Sequence, residues 1–126
     1  MPDPVLKERN VGTPDVWALI TVSDQKVDSS SYAVLWKDNL SPYRRKSFHV
    51  CEVAGVAIET VSLEYSNEGL GDNVHWAAFP GSTQSIVATG SVAYTTDVQA
   101  HYWRLRGTKT GSATASVSIY ISCNTR

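Results

Sequence analysis

Four side chains that carry oxygen ligands lie within one short glycine-containing segment. The segment Asn67-Glu-Gly-Leu-Gly-Asp-Asn73 holds Asn67, Glu68, Asp72 and Asn73. Carboxylate and amide oxygens are the ligands that Ca²⁺ takes in proteins, but this spacing does not match the twelve-residue EF-hand loop. The segment is therefore interpreted as a polar turn that its own side-chain hydrogen bonds stabilise, and no metal site is predicted.

The three histidines do not share the spacing of a metal-binding motif. His49, His75 and His101 fall in separate strand-like runs, where a lone histidine usually bonds to a neighbouring group. Many hydrolases carry their nucleophilic serine on a strained turn with the motif G-x-S-x-G, and the sequence contains no such motif. Since no acid–base pair can be named either, the chain is predicted not to be an enzyme, and no cofactor is expected.

The segment from His101 to Arg106 offers binding chemistry. Tyr102, Arg104 and Arg106 alternate along it and so share one face of a strand. A guanidinium there could stack on the phenol or hold a carboxylate through two donors. Arginine and tyrosine are enriched in protein interfaces, so this face is a candidate interface. An exposed polar sheet face without a partner is the alternative.

Tryptophan is frequent for a chain of 126 residues, with four at Trp17, Trp36, Trp76 and Trp103. Aromatic platforms bind sugar rings, which makes Trp76 and the loop before it a candidate glycan site. Most of the four alternate with small polar residues as core tryptophans do. At least two are therefore expected to be buried.

Length and charge limit the classes of protein that the chain can belong to. A chain of 126 residues is about one domain and can bury a core without metals or disulfides. Its net charge of -1, from 11 basic and 12 acidic residues, gives no field that would gather nucleic acid or a membrane. It has neither an apolar run of ~18 residues nor a secretion signal. A soluble product made in the cytoplasm is therefore expected.

The two cysteines, Cys51 and Cys123, are too far apart in sequence for a CxxC motif. Each lies in or beside a strand-like run, so both are interpreted as buried small hydrophobes. A disulfide between them is the alternative, and it would need an oxidising compartment.

Short strands must position all of these residues, because no segment of ten or more residues has a helical period. Two-residue alternation predicts strands over 58–66 and 113–122, and strand-forming runs predict others over 16–22, 32–36, 47–53, 74–79, 85–88, 90–94 and 101–106. Residues 24–31 are predicted to break the first strand, and residues 43–46 to form a solvated basic loop. Gly107 to Gly111 is predicted to join the last two strands as a hairpin.

Seven to nine short strands separated by polar turns predict an all-β protein, an antiparallel β-sandwich or jelly roll. A parallel sheet would need crossover helices. Residues 1–14 contain three prolines and are predicted to form an extended N-terminal arm. Residues 15–126 are predicted to form a single β-sandwich domain.

The second half of the chain has a recognisable succession of motifs. Tyr65-Ser-Asn-Glu-Gly69 is followed by Trp76, and a Ser/Thr/Gly linker leads to the run from His101 to Tyr120. This order, over residues 58–122, resembles small bacteriophage virion proteins, in which an S-N-D-G-x-x-W turn precedes a Y-x-R-x-R strand and a Thr/Ser/Val strand. Glu68 stands in place of the aspartate, and Leu70-Gly-Asp-Asn73 lengthens the loop. Discoidin-like sugar-binding sandwiches share the turn and the tryptophan.

The resemblance implies a non-enzymatic structural protein of a bacteriophage particle, either a capsid decoration or head-associated protein or, as the second choice, a tail component. Such a protein would act as a homo-oligomer in contact with other virion proteins. The alternative is a carbohydrate-binding module or tail adhesion component, with a glycan as partner. The candidate interface or glycan residues are Asn67, Glu68, Asp72, Asn73, Trp76, Tyr102, Arg104 and Arg106.

Overall fold

Nine β-strands run through residues 17–28, 32–109 and 111–125, the part of the chain that the computed structural model describes. The predicted arm over residues 1–14 lies outside these ranges. The described residues include no helix that is long and apolar enough to span a membrane. The strands are β1 (Trp17–Val27), β2 (Ala33–Asn39), β3 (Arg45–Glu52), β4 (Ile58–Ser66), β5 (Ala77–Ala78), β6 (Gln84–Ile86), β7 (Ser91–Thr96), β8 (Tyr102–Thr108) and β9 (Ala115–Asn124).

The strands form two antiparallel sheets packed as a sandwich, which confirms the predicted fold class. Sheet A has the order β1-β9-β3-β7, and sheet B has the order β2-β8-β4-β5, with β6 also paired to β4. The chain changes sheet at every connection except those between β4, β5 and β6. This alternation between a four-stranded and a five-stranded sheet is the jelly-roll arrangement.

The predicted hairpin between the last two strands is wrong. β8 pairs with β2 and β4 in sheet B, whereas β9 pairs with β1 and β3 in sheet A. Alternation identifies which side chains face inward but not which strand lies alongside, and strands of facing sheets are only ~10 Å apart. A short connection can therefore cross between the sheets. Gly107 belongs to β8, where an added Cβ would lie 3.0 Å from the Leu35 side chain.

The first strand is longer than predicted because it passes through a bulge. The pairing register of β1 with β9 shifts between Val22 and Gln25, and Asp24 has a φ of 57°. An aspartate tolerates this left-handed conformation, and the extra residue lets the ladder resume as far as Val27. Conversely, the predicted strand over 74–79 is reduced to Ala77–Ala78.

One residue of the predicted basic loop is part of the protein interior. Lys46 is the second residue of β3 and only 1% exposed, while Arg44 and Arg45 are exposed. Its ammonium donates to the carbonyls of Val98, at 2.9 Å, and Arg44, at 3.2 Å. Burial lowers the pKa of Lys46 despite nearby Cys123 and Asp97, which act in the opposite direction.

An aromatic cluster occupies the space between the sheets. Trp103 of β8 is fully buried, and its ring lies 5.3 Å from that of Tyr65 and 5.8 Å from that of Phe48. Its indole N–H, which would otherwise be unpaired, donates to the carbonyl of Ala100 at 2.9 Å. Trp36 is also buried, so the expectation of at least two buried tryptophans is confirmed.

A buried carboxylate fastens the end of β3. Glu52 is 2% exposed. Burial by itself would raise the pKa of Glu52, but backbone hydrogen bonds outweigh it and hold the pKa below its ordinary value. The carboxylate joins the turn after β3 to the approach to β7 and to the start of β9. Five backbone N–H groups donate to it: those of Ala54 (2.8 Å), Gly55 (2.8 Å), Thr89 (2.9 Å), Val56 (3.1 Å) and Ser116 (3.3 Å).

Glu52→Gln should destabilise the protein, because the NH₂ group of glutamine is a hydrogen-bond donor and would face backbone N–H groups that also donate. We expect the free energy of unfolding to fall by about 3 kcal/mol near neutral pH. The folded-state pKa of Glu52 is lowered, so its contribution is present above the unfolded pKa and is lost as the pH falls through the folded value. The difference in the free energy of unfolding between wild type and variant should therefore become smaller below about pH 4.

Urea unfolding of both proteins across a pH series measures this gap. Glu59→Gln, which changes an exposed carboxylate at the start of β4, is the matched control and should follow the wild type. A gap that stays constant down to the lowest accessible pH would contradict the assignment.

Candidate functional site

The outer face of sheet B carries the predicted binding residues of β8. Trp103 and Leu105 are fully buried between the sheets, so the alternating Tyr102, Arg104 and Arg106 lie on the opposite face. The register places Arg104 directly beside Glu64 of β4. Arginine and carboxylate are thus cross-strand neighbours within this chain.

Glu64 binds both arginines. Its Oε1 accepts from Arg104 Nε at 2.6 Å, and its Oε2 accepts from Arg106 Nη1 at 3.4 Å. The side chains of Arg104 and Glu64 are only 9% and 14% exposed, so water screens this pair little. The carboxylate that the arginines were predicted to hold is therefore supplied by the chain itself.

The segment of residues 67–76, here called the Trp76 loop, folds back onto this face. The guanidinium of Arg104 lies over the Trp76 ring, 4.3 Å from its centroid, and the indole N–H donates to the carbonyl of Gly71 at 3.0 Å. Lys37 of β2 reaches across and donates to the carbonyl of Leu70 at 2.8 Å. Stacking of this kind contributes about 1–2 kcal/mol where the cation is desolvated. The loop is thereby held against sheet B.

The predicted stacking partner of the arginines was wrong. Arg106 lies over the ring of Tyr32, at 4.5 Å, and Arg104 lies over Trp76, whereas the ring of Tyr102 lies beside that of His101, at 6.1 Å. Side chains on the same face of one strand are separated by two positions along the chain. A ring on a neighbouring strand or loop can therefore lie nearer to the guanidinium than the ring of Tyr102 does.

The oxygen ligands of the Trp76 loop are largely engaged in hydrogen bonds. Asn67 Oδ1 accepts from the backbone N–H of His101 at 3.0 Å. Glu68 accepts from the backbone N–H of His75 at 3.1 Å and contacts its Nδ1 at 2.9 Å, and these bonds lower the pKa of Glu68. Asp72 reaches Arg104 only at 3.9 Å. The described residues contain no group of three or more His, Cys, Asp or Glu side chains arranged to hold a metal.

The eight predicted residues are thus brought together only in part. Asp72, Trp76, Arg104 and Arg106 meet around Glu64, while Asn67 and Glu68 fix the base of the loop. Asn73 is exposed at its tip. Three further residues of the site, Glu64, Tyr32 and Lys37, are not among those predicted from the sequence. The position of Glu64 on the polar side of an alternating strand was a usable signal, but its pairing with Arg104 required the strand order.

The cysteines lie on opposite faces of sheet A and are both free. Cys51 stands opposite Ser118 and Cys123 opposite Lys46, so the alternative of a disulfide between them is not realised in the fold. Cys123 is 1% exposed, as expected, but Cys51 is only half-buried. Burial raises the pKa of both thiols.

Comparison with known proteins identifies similar folds but no family. No family model matches the chain, and no curated protein shows significant similarity to it. A chain of the Bacillus endospore appendages, described as disulfide-linked pili, superposes with a TM-score of 0.52 at 15% identity, covering 94% of this chain and 97% of that one. A chain of infectious bursal disease virus, Gx strain, superposes at 0.50 and 14% identity. The alignment covers 98% of this chain but 36% of the viral one. At these identities the likeness shows a shared fold.

Glu64→Gln should destabilise the protein, because it leaves Arg104 largely buried without its counter-charge. We expect a loss of about 3 kcal/mol in the free energy of unfolding. In the double variant Glu64→Gln/Arg104→Met, the loss should be smaller than the sum of the two single losses, since both remove one interaction. Urea unfolding of the four proteins measures this coupling.

Glu59→Gln provides the control for this cycle, because it removes an exposed carboxylate from β4, the strand that carries Glu64. Its unfolding midpoint should match that of the wild type. Strictly additive losses for Glu64 and Arg104 would contradict the coupling.

Proposed function

We propose that this chain is a non-enzymatic structural protein of a bacteriophage particle, a capsid decoration or head-associated protein that assembles as a homo-oligomer and contacts other virion proteins. The observation that carries the proposal is the paired charge cluster on sheet B. Glu64 binds Arg104 and Arg106, and Arg104 stacks on Trp76, so these groups fix the surface instead of offering free acid and base groups to a substrate.

A surface fixed in this way suits repeated protein contacts. A loop that is already ordered loses less conformational entropy on binding than a mobile one. Specific interfaces bury about 800 Å² on each partner, and repetition in a particle multiplies weak contacts into a strong attachment. The Trp76 loop and the adjoining face of β8 are the proposed contact surface. Within it, Arg104 and Trp76 position the loop, and Asp72 and Asn73 are exposed at its tip.

The fold comparisons support a structural role at a coarse level. One similar chain comes from pili and the other from a virus, and a jelly roll presents two broad sheet faces for packing. Assignment to a bacteriophage particle, and to its head in preference to its tail, rests on the resemblance of residues 58–122 to phage virion proteins.

A glycan-binding or tail adhesion role is the second candidate, because Trp76 stays partly exposed beside Asp72 and Asn73. Arg104 already covers one face of the indole, and Gly71 accepts its N–H. The groups through which a tryptophan binds a sugar are thus partly used within the chain.

Trp76→Ala separates these two roles. On the structural role it should lower the free energy of unfolding by about 1–2 kcal/mol, through loss of the stacking on Arg104, and leave glycan-array signals unchanged. Trp76→Phe keeps an aromatic ring over Arg104 and should recover most of the stability. Specific glycan binding by the wild type that Trp76→Ala abolishes would establish the second role instead.

Solution mass and particle proteomics test the structural role directly. Light scattering on the purified protein should give a multiple of the chain mass. Mass spectrometry of gradient-purified particles should find the chain in a fixed ratio to the major shell protein. A monomer absent from all particle fractions would contradict the proposal.

A further inference from the structure

A cysteine and a histidine lie side by side on the outer face of sheet A, away from the charge cluster. His49 and Cys51 alternate along β3, where the intervening Val50 is fully buried. The thiol Sγ lies 3.5 Å from His49 Nε2. The imidazole is exposed and packs beside the ring of Tyr120 of β9, at 6.3 Å.

The spacing of these two atoms matches the edge of a tetrahedral zinc site. Zinc binds sulfur at about 2.3 Å and imidazole nitrogen at about 2.0–2.1 Å, so two such ligands at the tetrahedral angle stand about 3.5–3.6 Å apart. The observed separation of 3.5 Å therefore falls at the distance that two such ligands require. Both residues also belong to one strand and point to the same face, so the sheet fixes the positions of their backbones.

We propose that His49 and Cys51 form one half of a zinc site, which a second copy of this chain completes about a two-fold axis. A two-fold interface brings the same residues from both partners together, giving the Cys₂His₂ ligand set of structural zinc. Each thiol releases its proton to solvent as it binds, and each imidazole binds as the neutral base. One chain supplies two ligands, since the described residues hold no third His, Cys, Asp or Glu grouped with them.

The surroundings of the pair suit contact with an identical face. The cross-strand neighbours of His49 are Tyr120 and Ala93, and those of Cys51 are Ser118 and Ser91. None of these four side chains is charged, so two copies brought face to face meet no like-charge repulsion there. The two neighbours on β7, Ala93 and Ser91, are also small, which leaves the side chains of His49 and Cys51 accessible.

The same face offers apolar contact area. Leu19 of β1 is 82% exposed and Tyr120 is 46% exposed. Leu19 pairs with Ser122, next to Tyr120 on the same outer face. Exposed leucine and tyrosine contribute the area that a two-coordinate half-site needs to hold a second copy in place. The inference is independent of the proposed role in a phage particle.

The experiment measures zinc binding and solution mass together. The purified full chain, kept reduced and stripped of metal, is titrated with zinc chloride in a calorimeter and followed by light scattering. We expect one zinc for every two chains and a doubling of mass that EDTA reverses. Co²⁺ in place of zinc should give the thiolate charge-transfer band and the visible bands of tetrahedral cobalt.

Variants assign the ligands. Cys51→Ser and His49→Ala should each abolish the zinc-dependent doubling, with far-UV circular dichroism unchanged because both side chains lie on the surface of the sheet. Cys123→Ala and His101→Ala, which change a cysteine and a histidine elsewhere, should behave like the wild type.

Three results of the zinc titration would overturn the proposal. They are an absence of zinc binding, one zinc per chain with no change of mass, and a doubling that survives Cys51→Ser. A dimer that forms without zinc and dissociates on reduction would replace the metal bridge with a disulfide, and would overturn it equally.

Discussion

The carboxylate of Glu52 stands where the chain leaves β3 and must turn from sheet A toward sheet B. Five backbone N–H groups from three separate segments converge on its two oxygens. The N–H of Ser116 is buried and would otherwise be left without a partner, at a cost of about 1–3 kcal/mol. The ionised group repays its own burial through these bonds. One side chain thus fixes the turn after β3, the turn before β7 and the beginning of β9.

The two outer faces of the sandwich differ in their chemistry. Sheet B carries charges that neutralise one another around Glu64, and it holds the Trp76 loop in place through Arg104. The rows of sheet A around His49 carry hydroxyl, methyl and aromatic groups. Paired charges fix local conformation and specificity, whereas a flat uncharged face favours contact with another flat surface. The two proposed contact surfaces therefore differ in chemistry, since one is the ordered Trp76 loop on charged sheet B and the other is the uncharged face of sheet A.

Alternation along the chain predicted where strands lie and which side chains face inward, because both depend on near neighbours. It could not predict that β8 and β9 face each other across the core, since sheet membership depends on contacts distant in sequence. For the same reason Glu64 was missed as the partner of Arg104. Lys46 was wrongly predicted to lie in a solvated loop, because a charged side chain is usually exposed. In the fold it is buried, and its ammonium donates to the carbonyls of Arg44 and Val98. Asp24 resembled a strand end because a bulge uses the same residue types as a turn.

In sheet A, β9 lies between β1 and β3 and pairs with both, so neither of these two strands has a partner on that side until β9 has been synthesised. In sheet B, β8 likewise separates β2 from β4. Neither sheet can therefore form completely on a nascent chain before β8 and β9 have been synthesised. Pairing of Trp17 with Asn124 joins residues remote in sequence, and contacts of this kind slow folding. Until β8 and β9 emerge, the apolar sides of the earlier strands stay uncovered, and exposed apolar surface of this kind favours aggregation.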